Sequence, residues 1–237
     1  MGQMWFHACC KPIFFERGEY MSDGNLYILA LTWTAWCALH SFLVSTTVTG
    51  WLKGRGKTYY RCHRLAFNLI AVVTVIVPLY LGWRLRGDVI FEWNGWLRLV
   101  QAVLAGAAVA FFWAGARQYD MRQFLGLQQI LSEDDTCTTI GEACGVETRG
   151  VLGLVRHPWY CGGMLIIWAR DLDAAALVTN LVLTAYFIVG ALLEERRLVR
   201  EIGEDYRRYQ REVPMFLPWR WFIGRSPKVE KSKGRRV

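Results

Sequence analysis

Two short stretches concentrate residue types that are able to grip or activate a polar ligand. The first is Arg156-His157-Pro158-Trp159-Tyr160, followed by Cys161-Gly162-Gly163; the second is Glu194-Glu195-Arg196-Arg197. One offers an imidazole, a guanidinium and a phenol, and the other offers two adjacent carboxylates. A zwitterionic ligand uses both: Arg156 or His157 would hold a carboxylate, and Glu194 or Glu195 an amine, through charge-assisted hydrogen bonds. Gly162 and Gly163 lack a Cβ and so permit close approach of a flat group such as a nucleobase. Farther on, Tyr206 and Tyr209 stand three residues apart on one helical face. They either dock an amphipathic helix at an interface or close over a ligand. The plain alternative for both clusters is a charged collar at a membrane edge, which is common.

The elements that must position these groups are apolar blocks. Hydrophobic residues make up 54% of the 237 residues, and they come in runs of about twenty separated by short charged stretches, as membrane helices do. Leu26 to Val48 contains no Asp, Glu, Lys or Arg and covers roughly 30 Å as a helix. His40 lies inside it. An imidazole at that depth needs a partner or a cavity, and helix packing and substrate contact both satisfy that need. Further blocks run from Leu65 to Leu81, with Pro78 placed to bend or end the helix, and from Trp96 to Ala116. After an amphipathic segment and a loop rich in Gly, Thr and acids, a shorter apolar element spans Trp159 to Ala169. Pro158 suits its first turn. The last block is Ala174 to Leu193, and the few residues between these two make them antiparallel neighbours. That brings the two clusters together.

The expected architecture is therefore all-α: an integral membrane helical bundle of about five transmembrane helices, the last two forming a hairpin. Residues 1–24 form an extramembrane N-terminus without a cleavable signal peptide, 25–116 hold three spans, 117–219 form the ligand-binding core and 220–237 a basic tail. Basic residues support an N-terminus outside and a C-terminus in the cytoplasm. Successive loops carry five Lys and Arg inside, two outside, four inside and one outside, and thirteen follow Glu194 on the inside. The formal charge of +8 thus points to anionic lipid rather than nucleic acid. Seven irregularly spaced cysteines, with Cys9 and Cys10 adjacent and no repeated Cys-x-x-Cys, indicate neither a disulfide framework nor a metal site. A scaffold or small transporter is the rival class. It would need polar span centres, and here His40, Asn68, Asn180 and scattered Thr supply few.

The combination LVRHPWYCGG, a span, then GALLEERRLVREIGEDYRRYQREVPMFLP resembles the isoprenylcysteine carboxyl methyltransferase superfamily of integral membrane methyltransferases. YDMRQFLGLQQI upstream is similar in style to the bacterial methanethiol S-methyltransferases. The resemblance covers about 70 residues, Val155 to Trp219. It implies S-adenosylmethionine (S-adenosyl-L-methionine) as cofactor, bound at the cytosolic face by Arg156, His157, Tyr160, Gly162, Glu194 and Glu195, with Tyr206 and Tyr209 near a lid. It also implies a lipophilic acceptor arriving from the bilayer, in a bacterial inner membrane. A small or lipophilic thiol is expected first, then a prenylated cysteine carboxylate, then a phospholipid amine. A thiol must become thiolate before it attacks. His157, Glu195 and Arg197 are the candidates to promote that, and no metal is needed. On this reading Glu195→Gln should damage cofactor binding more than folding.

Overall fold

A computed structural model describes residues 23–118, 121–131 and 150–222. The cysteines at 9, 10, 137 and 144, Asp120, and nearly all of the N-terminal segment and basic tail lie outside the described residues.

Among the described residues four helices are long and apolar enough to cross a membrane: α1 (Asp23–Val44), α3 (Lys57–Arg84), α4 (Leu97–Gln118) and α8 (Ala174–Ile202). Their outward faces carry a belt of exposed apolar side chains, among them Leu31, Leu69, Val73, Val77, Val103 and Val189. A water-soluble domain rarely exposes so continuous an apolar surface. Five full spans were expected, and the count is corrected to four. The short apolar element is α7 (Pro158–Trp168), which has only 11 residues, roughly 16 Å of rise against a hydrocarbon core of about 30 Å. It cannot lengthen backwards, because residues Gly150–Gly153 form a 3-10 turn and Pro158 sits at the first helical position.

Other boundaries shift for local reasons. The first block stops at Val44, and Ser45 caps a separate helix, α2 (Thr46–Arg55), by accepting from the Val48 N–H. Gly50 and Gly54 stay helical within α2, and the break falls at Gly56, with φ 133°. Pro78 does not end α3, which continues to Arg84 with the proline buried. Two short helices, α5 (Met121–Leu125) and α6 (Leu127–Leu131), pack on α3. Arg64 Nε donates to Phe124 O at 3.0 Å and Arg61 Nη2 to Ile130 O at 2.7 Å.

The bundle closes around α8. Leu29, Trp33 and Cys37 of α1 are buried against Ala175 and Leu183, and Trp33 Nε1 donates to Thr179 Oγ1 at 3.1 Å. On the other side α7 lies along α4 through small residues, with Gly115 beside Trp159 and Gly162 beside Phe112 and Ala108 O. Close helix approach of this kind is what glycine allows in membranes. The turn after α7 meets the loop before α4, because Ile90 N and Phe91 N both donate to Leu172 O. Asp173 Oδ1 then accepts from Ala176 N and starts α8. Beyond Ile202, Gly203 at φ 76° turns the chain into α9 (Glu204–Glu212), and a last short helix is α10 (Trp219–Phe222).

Candidate active site

The rigid extension of α8 past Leu193 carries Glu194 and Glu195 to the start of α7, so both sequence clusters do meet. Glu195 is the centre. Its carboxylate accepts Arg156 Nε at 2.7 Å and Nη2 at 2.9 Å, His157 Nε2 at 3.0 Å, Tyr206 Oη at 3.0 Å and Gln210 Nε2 at 2.5 Å. A carboxylate has about four lone-pair directions, so this one is saturated by the protein. The Arg156 and Glu195 side chains are only 8% and 7% exposed. A buried pair of this kind holds because every polar atom is matched.

The remaining arginine nitrogen binds the C-terminal segment. Arg156 Nη1 donates to the carbonyl oxygens of Gln210 and Val213. Backbone bonds run alongside: Arg156 N donates to Pro214 O at 3.0 Å and His157 N to Met215 O at 3.2 Å. Tyr209 Oη donates to Leu152 O at 2.6 Å and Cys161 Sγ to Phe216 O at 3.1 Å. Burial, and then the adjacent Glu195 charge, push the Tyr206 phenol well above its ordinary range, so it stays a donor. α9 and residues 213–216 are thereby clasped over the start of α7.

Glu194 stands apart. Its side chain is 45% exposed, with Oε2 3.6 Å from His157 Nδ1. His157 is buried between the two acids. Its ring lies 5.4 Å from that of Tyr160 and 6.1 Å from that of Phe216, measured between centroids. With Nε2 committed to Glu195, Nδ1 is the nitrogen turned toward Glu194.

The structure therefore brings together Arg156, His157, Tyr160, Glu194, Glu195, Tyr206 and Tyr209, and leaves two expected residues elsewhere. Arg197 points away and donates to Glu201 at 2.6 Å, an i,i+4 pair on α8. Gly162 is buried, and the space beside it is filled by Phe112, which a Cβ would meet at 3.1 Å. The ring packed there is the protein's own. Gln210 was missed, although it lies four residues past Tyr206 and shares its helical face. An open hollow of about 400 Å³ between α2 and α3 is lined by Leu52, Thr58, Tyr59, Cys62, His63 and Ala66, with no member of this cluster.

The half-exposed Glu194 carboxylate is of a type to hold a cationic group such as an ammonium, and the rings of Tyr160 and Phe216 beside His157 offer faces that attract a cation. Among the described residues no group of three His, Cys, Asp or Glu is placed to hold a metal.

No family model matches the chain, and no solved structure matches it. Curated relatives do. The chain is 36% identical over 123 residues to a methanethiol S-methyltransferase from a Pseudomonas strain, covering 48% of this chain and 46% of that one. It is 30% identical over 175 residues to methanethiol S-methyltransferase 2 of Bradyrhizobium diazoefficiens, covering 72% and 65%. A protein-S-isoprenylcysteine O-methyltransferase of Schizosaccharomyces pombe is 34% identical over 77 residues, 30% of this chain and 32% of that one. The matches to the two bacterial relatives thus span from about half to just under two thirds of those proteins' length. With its apolar bundle and the Arg156–His157–Glu195 cluster, the chain is similar to integral membrane methyltransferases, the methanethiol S-methyltransferases among them.

Proposed function

We propose that this protein transfers a methyl group from S-adenosylmethionine to a small or lipophilic thiol at the cytoplasmic face of a bacterial inner membrane. The observation that carries the reading is the division of labour between two neighbouring acids. Glu195 is consumed by protein donors, and Glu194 is half-exposed beside the same imidazole. Glu194, Tyr160 and the Nδ1 edge of His157 would hold the cofactor's amino-acid end. Bound there, the cofactor supplies an activated methyl on a sulfonium sulfur. The protein's own work is alignment and exclusion of water. Glu195 fixes the His157 ring and the Arg156 fork, Tyr206 and Tyr209 hold the clasp shut, and Arg197 would have to leave Glu201 to reach a ligand.

Residues 117–219 act on this reading as the cofactor-binding core. α7 and α8 form a hairpin entered from the cytoplasm. Although α7 is short, it runs along α4 from the level of Gly115, beside Trp159, to that of Gln101, whose Nε2 donates to Ala169 O at 3.3 Å. The turn at 169–173 then reaches the loop between α3 and α4. That return keeps the N-terminus outside and the basic tail inside, as the Lys and Arg distribution favours.

Calorimetric titration of the purified protein with S-adenosylmethionine and its demethylated product tests the cofactor. Labelled transfer to methanethiol, to a prenylated cysteine and to a phosphatidylethanolamine vesicle tests the acceptor. Binding of both nucleosides with labelling of the thiol is expected. Absence of nucleoside binding would overturn the proposal.

A further inference from the structure

A second polar group sits between α1 and α8, within the apolar length of the bundle and apart from the Glu195 cluster. His40 Nδ1 lies 2.8 Å from Tyr186 Oη, and Ser41 Oγ donates to the same phenol oxygen at 3.4 Å. The imidazole is half-buried, stacked on Trp36 with ring centroids 5.2 Å apart and tilted against Phe67 at 4.7 Å. An ionisable side chain such as His40 is costly at membrane depth, and one placed there faces the bundle interior or a cavity and marks a functional site by default.

Their position ties them to the cofactor cluster. Ring centroids run from His157 to Tyr160 at 5.4 Å, to Phe187 at 6.0 Å, to Tyr186 at 6.1 Å and to His40 at 6.1 Å. Gly190 clears the way beside Tyr160, whose Oη would stand 3.7 Å from an added Cβ. Tyr186 is nine residues from Glu195 along α8, roughly 14 Å of rise. A nucleoside held at Glu194 and reaching inward would present its sulfur end toward this aromatic wall.

We propose that His40, Tyr186 and Ser41 form the acceptor side of the site, where a small neutral thiol arriving through the bilayer gives up its proton. This rests on the methyl-transfer reading above. The thiol sulfur forms its bond to the methyl carbon as the sulfonium C–S bond breaks, and that bond's electron pair stays on the departing thioether. The thiol proton passes to Tyr186 Oη while the phenol's own proton moves to His40 Nδ1. One positive charge enters as sulfonium and remains as imidazolium. A base and relay so placed contribute about 10²- to 10⁴-fold to a rate.

The test uses the full chain in lipid nanodiscs. Methanethiol added to wild-type protein without cofactor should shift the His40 ring-nitrogen signals in ¹⁵N-histidine NMR. His40→Gln and Tyr186→Phe should keep wild-type calorimetric affinity for the demethylated cofactor and lose about 10²-fold or more in thiol methylation, mainly in kcat. Tyr186→Phe retains the ring packing and so guards against a folding failure in the first variant. Unshifted His40 signals at saturating thiol, or full turnover in both variants with only a lower melting temperature, would overturn the inference and leave the cofactor site standing. A wild-type protein that methylates no thiol would overturn the parent reading as well.

Discussion

Glu195→Gln keeps the side chain's shape and removes its charge, and because protein donors occupy the carboxylate the expectation from sequence is reversed: folding, before cofactor binding, is the first casualty. Arg156 would be left with a buried guanidinium facing an amide, since both side chains are less than a tenth exposed. Removing one partner of a buried pair costs about 3–5 kcal/mol. Glutamine offers one acceptor oxygen where five donors converge, so little of that is recovered. At about 1.4 kcal/mol per decade, the folded-to-unfolded ratio falls by roughly 10²- to 4 × 10³-fold. The loss should be read first in the clasp. Trypsin should cut the purified variant after Arg207, Arg208 and Arg211 well before wild type, and the melting temperature should drop. Glu194→Gln is the contrast. Its carboxylate is half-exposed, so stability should stay within about 0.5 kcal/mol. Cofactor affinity should fall about 10- to 100-fold, the worth of one charge-assisted hydrogen bond. Should Glu195→Gln melt and resist trypsin like wild type, or Glu194→Gln unfold in its place, the roles assigned to the two acids are wrong.

Three further outcomes follow from individual contacts. Tyr206 has its phenol pushed up by burial and by Glu195. Its contribution is complete below the ordinary tyrosine value near pH ~10 and is lost as pH rises through the higher folded value; Tyr206→Phe should cost about 1.5–3 kcal/mol at neutral pH and flatten the alkaline limb of the stability curve. Gly126 has φ 88° and leaves an added Cβ 2.7 Å from Leu65 N, whereas Gly203, at φ 76°, has nothing within 4 Å. Gly126→Ala should therefore lower the melting temperature more than Gly203→Ala, which bears only backbone strain of about 1–3 kcal/mol, and equal shifts would contradict the packing of α5 and α6 on α3. In intact cells, on a background whose seven native cysteines are replaced by serine, a membrane-impermeant maleimide should label Asp88→Cys but not Arg208→Cys, and the reverse pattern would invert the orientation.

The spans were legible because charge-free runs of about twenty residues have few alternatives. The length of α7 was not, since the apolar run from Trp159 to Ala169 says nothing of whether the residues before it are helical, and the turn at Gly150–Gly153 decides that. Both polar clusters were readable as residue types. Their division was written in helical phase. Ala191, Glu195, Leu198 and Ile202 recur at helical spacing on the face of α8 that packs inward, with Ala191 and Glu195 buried and the other two against Tyr206 and Tyr209. Glu194 lies one position round that helix. The Arg197–Glu201 pair was equally available from i,i+4 spacing, and it removes the arginine from the cluster. The carbonyls of Gln210 and Val213 that hold Arg156 carry no side-chain signature, so only the folded chain reveals them.

One product measurement decides whether the protein methylates a thiol. Purified protein in nanodiscs, given methyl-labelled S-adenosylmethionine and methanethiol, should release labelled dimethyl sulfide and demethylated cofactor in equal amounts, and the Glu194→Gln variant should need far more cofactor to do so. Cofactor that binds and stays intact with every thiol offered, or label that appears only on a carboxylate or an amine, would contradict thiol methylation.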